Sequence, residues 1–96
     1  MDDTSDVGIV MVVRFRSRLS ADELRRRYQK RMPEFRRLSG LVQKHYVHDE
    51  SSGEWGGIYL WESVESMQEY LASDLRGSIS SAYEVEGAPR VEVFPV

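Results

Sequence analysis

The side chain in this sequence best suited to take a proton near neutral pH is His45, because a neutral imidazole can accept one there. It lies in the run Gln43-Lys44-His45-Tyr46-Val47-His48, shortly before a second run, Trp55-Gly56-Gly57-Ile58-Tyr59-Leu60-Trp61. If the two runs pair, His45 becomes a base facing an aromatic wall of Tyr59 and Trp61, with Gln43 beside it as a polar contact. The same imidazole could instead make a hydrogen bond at a subunit contact. Arg31 falls near the apolar stripe of a helix, where a cation needs a partner or an anionic ligand such as a substrate carboxylate. Tyr28, on that stripe, joins the set expected to bind a ligand. The plainer alternative for Arg31 is that Pro33 shifts the helix phase and lets it reach water.

Other chemistries fit poorly. There is no cysteine, which removes disulfides, thiolate catalysis and Cys-based metal sites. His45 and His48 are three residues apart on a predicted strand and so point to opposite faces, and no metal site is expected. Gly56-Gly57 opens a strand and precedes no helix, so it is a bulge or a close backbone approach rather than a phosphate loop. Arg25-Arg26-Arg27 spreads around a helix as a solvated face. No aromatic-interleaved basic platform accompanies it, so no nucleic-acid partner is expected.

Charge divides the chain unevenly. Residues 1–48 hold eleven Lys/Arg against six Asp/Glu, and residues 49–96 hold two against ten, for a net charge of −3. The acidic half would repel phosphate, whereas two copies could pair basic to acidic. The 96 residues allow one compact domain. Residues 1–6 read as a frayed acidic tail, no run is long and apolar enough to span a membrane, and the cytoplasm is the default location.

The elements that must position these groups follow from periodicity. Val7 to Arg16 is β-branched and apolar on both faces, a strand. Ser20 and Glu23 form a capping box for a helix beginning at Ala21, with Leu24, Tyr28, Phe35 and Leu38 on its stripe, a kink or restart at Pro33 and a stop at Gly40. Leu41–Asp49 and Trp55–Glu62 make a β-hairpin. A three-residue loop Ser51-Ser52-Gly53 would pair Glu50 with Glu54, His45 with Tyr59 and Gln43 with Trp61, and a loop of other parity would reverse the faces. Ser63 caps a second helix that Gly77 ends, a further helical turn falls within 78–87, and Arg90–Pro95 is a last strand.

The order is thus βαββαβ, an α+β ferredoxin-like fold with a four-stranded antiparallel sheet and two helices on one face. The uncovered face should be polar if it met water, yet both faces carry apolar side chains. A partner sheet is the economical cover, giving a homodimeric α+β barrel.

The segments Gly40-Leu41-Val42-Gln43-Lys44 and Gly56-Gly57-Ile58-Tyr59-Leu60-Trp61-Glu62, followed by a helix containing Tyr70-Leu71, resemble the small YdhR-type mono-oxygenases of the dimeric α+β barrel superfamily. The resemblance implies a homodimer with one pocket per subunit and, from related members, oxidation of an electron-rich aromatic substrate without a cofactor. A substrate deprotonated to a phenolate or enolate supplies electrons to dioxygen itself, while an apolar pocket holds its ring. Gln43 and His45 depart from the family pattern, so the substrate stays open. A barrel that only binds an apolar ligand or a protein, and a cyclase or isomerase using acid-base groups alone, are the alternatives.

Overall fold

The computed structural model describes residues 6–96. The expectation for the N-terminal tail falls, Asp6 apart, outside the described residues. Eight elements follow in order: β1 (Ile9–Ser17), α1 (Ala21–Arg36), β2 (Leu41–His48), β3 (Trp55–Trp61), α2 (Val64–Leu71), α3 (Asp74–Gly77), α4 (Ile79–Ala82) and β4 (Val85–Pro95). The strands form one sheet in the order β2-β3-β1-β4, every pairing antiparallel, and the helices pack on one face. This is the ferredoxin-like α+β arrangement that the pattern predicts.

Local chemistry explains most boundaries. The Ser20 hydroxyl accepts from the Glu23 backbone N–H at 3.2 Å, opening α1 as the capping box requires. α1 passes Pro33 as one element without a restart. Gly40 turns the chain at φ +80°, and a Cβ there would strike the Ser66 side chain of α2. α2 stops at Leu71 rather than Gly77, because the Ser73 hydroxyl caps a fresh turn by accepting from Arg76 N–H at 3.3 Å. β4 begins at Val85, five residues before the expected Arg90, its early part pairing with Arg16 and Ser17 across an irregularity in β1.

The hairpin register differs from the expected one by a single residue. Asp49, not Glu50, closes the ladder: its N–H donates to Glu54 O at 2.8 Å, and Gly53 N–H returns to Asp49 O at 2.8 Å. The Asp49 carboxylate accepts from Ser51 N–H and Ser52 N–H at 3.1 and 3.4 Å, an Asx turn that starts the loop one residue earlier. Lys44 therefore faces Tyr59, Tyr46 faces Gly57 and His48 faces Trp55, while His45 pairs with Ile58 and Gln43 with Leu60. Every side chain of β2 from Gln43 onward takes the face opposite to the expected one.

Consequently the two faces of the sheet are unlike. Under the helices lie Met11, Trp55, Tyr59 and Trp61, packed with Leu24, Phe35, Met67, Tyr70 and Tyr83. Trp61 and Met11 are 0% exposed. The open face carries half-buried Val10, Val12, Ile58 and Leu60, with exposed Gln43 and His45 and a half-exposed Phe94. The aromatic residues of β3 are thus covered within the single chain, and what stays open is the face of Val10, Val12, Ile58 and Leu60.

Candidate functional site

Between α1, the α4 turn and the sheet lies a small, nearly all-apolar cavity of about 30 Å³. That is room for a water molecule but not for a ring. Val13, Gly57 and Tyr59 form its floor, Lys44 and Tyr46 one wall, and Tyr28, Ile79 and Tyr83 close it from above. Tyr28 lies flat on Tyr46, ring centroids 4.4 Å apart and planes within 10°. α1 and β2 are thereby clamped at the cavity rim.

Lys44 is the unusual group. Its Nζ lies 3.3 Å from the ring centre of Phe35, 4.2 Å from that of Tyr46 and 4.6 Å from that of Tyr59. No carboxylate comes within ion-pairing distance of it among the described residues. Burial, and then the charge of Arg31, push its pKa down to about 6. The ring faces favour the ammonium form by about 0.5–2 kcal/mol each, whereas burial favours the neutral amine. An amine that is largely unprotonated at neutral pH can serve as a general base.

Room for this side chain comes from Gly57. A Cβ there would sit 2.9 Å from Tyr59 Cε1 and 3.2 Å from Lys44 Cε. At Gly56 a Cβ would strike the carbonyl oxygen of Val13, so the pair serves a close backbone approach and the passage of a lysine stem.

Three further polar atoms nearby are buried without a hydrogen-bond partner among the described residues: Tyr46 OH, Tyr83 OH and Arg31 Nε. Burial raises the pKa of Tyr46, and takes that of Tyr83 up to about 12, so both hydroxyls keep their protons at neutral pH and can donate. Burial likewise raises Tyr59, whose hydroxyl shares a 3.3 Å hydrogen bond with that of Tyr70. Tyr46 and Tyr83 line the cavity, and a buried hydroxyl rewards a ligand oxygen that reaches it.

Of the residues that the sequence nominated, Tyr59 and Tyr28 line this cavity. Trp61 lies behind it, stacked parallel to Tyr59 at 6.1 Å. Arg31 stands beside it, donating to Ser78 Oγ at 2.6 Å and to Leu75 O at 3.4 Å, with its guanidinium 5.7 Å from the Tyr83 ring centre. His45 and Gln43 are exposed on the opposite face, so the predicted meeting of His45 with Tyr59 does not occur. His48 is on the helix side, stacked on Trp55 at 3.8 Å. Lys44, Tyr46, Tyr83 and Gly57 were not nominated. Hairpin parity, readable from Asp49-x-Ser-Ser, would have found the first two. Among the described residues no three His, Asp or Glu side chains gather as a metal site, and no helix is long and apolar enough to cross a membrane.

A four-stranded sheet with helices on one face and a cavity between the layers defines a ferredoxin-like α+β protein. The chain belongs to the family described as "Putative mono-oxygenase ydhR", whose model matches residues 10–93. No curated protein sequence matches it. A conserved protein from Methanosarcina mazei Go1 is 13% identical, with a TM-score of 0.76 over 95% of this chain and 94% of that one. SnoaB, a cofactor-independent oxygenase from Streptomyces nogalater, is 15% identical, with a TM-score of 0.75 over 94% and 93%. A monooxygenase from the gene ActVA-Orf6 of Streptomyces coelicolor, in complex with the ligand nanaomycin D, is 17% identical, with a TM-score of 0.71 over 96% and 89%. At such identities these three share the fold.

Proposed function

We propose that the protein is a cofactor-independent mono-oxygenase acting on a small, hydrophobic, electron-rich aromatic substrate, with Lys44 as the base. The observation that carries this reading is the Lys44 amine, held among Phe35, Tyr46 and Tyr59 with no carboxylate in ion-pairing distance among the described residues. Family membership and the fold shared with SnoaB support it. The role first read for His45 passes to its neighbour on the chain.

The chemistry balances without a bound redox group. Lys44 takes a proton from an acidic ring position, the resulting carbanion or phenolate gives electrons to dioxygen, and a peroxide forms at carbon. Loss of water from that peroxide leaves a carbonyl, so a CH₂ and O₂ become C=O and H₂O. Tyr46 and Tyr83 can donate hydrogen bonds to the oxygen on which negative charge gathers. The apolar surroundings keep water from protonating the carbanion.

A homodimer belongs to the same reading. Val10, Val12, Ile58, Leu60 and Phe94 leave an apolar surface on the open face, and at about 25 cal/mol per Å² a second copy would gain several kcal/mol by covering it. Sedimentation at micromolar concentration should give two chains per particle, and a single folded chain would contradict the barrel.

The activity is tested by oxygen uptake with a panel of anthrones and hydroquinones. Consumption by the protein, and its loss in Lys44→Met, are expected. Binding without uptake would favour a barrel that only recognises its ligand.

A further inference from the structure

We propose that Ile79 determines how many fused rings the site takes, by dividing one trough over the sheet into two chambers. The Lys44 cavity has a neighbour of about 100 Å³ on its β4 side, bordered by Leu71, Arg76, Pro89 and Val91. The two spaces share the same floor, Val13 and Tyr59, and the same residue above it, Ile79. Ile79 is therefore the partition.

Size makes the partition matter. A closed cavity of about 150 Å³ holds a benzene molecule, so neither the 30 Å³ chamber nor its 100 Å³ neighbour takes a substituted ring alone. Lys44 and Tyr46 also border a groove of about 320 Å³ with Phe35 and Met32, which Ile79 does not line. A ligand that reaches Lys44 from the β4 side must use both chambers, with its reacting edge in the small one and its outer rings extending past them, since together they offer about 130 Å³. The side chain it must pass is carried by a single helical turn, Ile79–Ala82, whose N-cap Ser78 makes no capping bond from its side chain. Instead the Ser78 hydroxyl donates to Leu75 O at 2.7 Å and accepts from Arg31 at 2.6 Å, which fixes where the turn begins. Tyr83, 4% exposed, follows the turn and stacks on Phe15. The turn is thus pinned at both ends with Ile79 aimed at the floor, and the length of that one side chain sets the opening.

The inference rests on the reading of the cavity as an aromatic-ligand site, but not on oxygenation. It is tested by titrating the intact protein with phenol, 1-naphthol and 1-anthrol and following Trp fluorescence. Ile79→Ala is expected to raise the ratio of anthrol to naphthol affinity about 10-fold. Ile79→Phe should move preference toward phenol by a similar factor, and Ile79→Val, which removes one methylene, should follow Ile79→Ala by about 2-fold. Should Ile79→Ala fail to fold, the other two variants decide. Ratios unchanged across the variants that fold would overturn the assignment, as would failure of all three arenes to bind. Shifted ratios without oxygen uptake would uphold it and sink the oxygenase reading instead.

Discussion

Lys44 and His45 are adjacent on β2, yet one lies under the helices against three aromatic rings and the other stands exposed on the open face. The covered side of the sheet holds Tyr59 and Trp61 at 2% and 0% exposure. The open side holds apolar residues together with solvent-facing polar side chains, Gln43, His45, Arg90 and Glu92 among them. A strand alternates its faces with each residue, so a shift of one position decides which titratable group loses its water. Desolvation then does the chemical work, since an amine unremarkable at the surface becomes a base when buried. An imidazole in water stays a surface group.

The sharpest way to break this contrast is to exchange the covered group. Lys44→Met should lower oxygenase turnover by about 10²–10⁴-fold, the range for a lost general base, as measured by oxygen consumption. It should also change how stability depends on pH. The folded-state pKa of Lys44 lies below its unfolded value, so the unfolded chain binds the extra proton between about pH 6 and about 10.4, and wild-type stability rises with pH across that window. Urea melts at stepped pH should show the rise in wild type and a flatter profile in Lys44→Met.

Next in size is the packing beneath the site. Trp61→Ala removes the largest fully buried side chain and should cost about 3–5 kcal/mol in a denaturant melt. Gly57→Ala should cost about 1–3 kcal/mol, because the new methyl presses on Tyr59 and on the Lys44 stem. It should also lower turnover, whereas a purely structural glycine would spare the rate. The smallest effect belongs to the open face: His45→Ala should leave stability within about 0.5 kcal/mol and turnover within about 2-fold. A large loss of activity there would reverse the comparison between the two faces.

Much of this was legible in the residues. The capping box at Ser20 and Glu23, the β-branched and largely apolar pattern of β1 and the existence of the hairpin all lead to the observed order of elements. Hairpin parity was harder, because it turns on one carboxylate: Asp49 collects the loop N–H groups and ends the ladder a residue early. That single hydrogen-bonding choice moved the candidate base from His45 to Lys44. The first half of β4 was hidden by Gly87, at φ +68°, and Pro89, which read as loop but are tolerated because β4 is an edge strand. Tyr83 carries no periodic signature. It reaches the cavity through the turn at Glu84, whose φ of +46° no composition rule announces.

The protonation of Lys44 is the point on which the account turns, and the sequence contains one other lysine, Lys30. Following the lysine side-chain resonances by NMR as pH is varied would read it directly, with Lys44→Arg to assign the signal. A midpoint near pH 6 is predicted for Lys44. A midpoint at the ordinary lysine value of about 10.4 would contradict it and leave the covered face without a base.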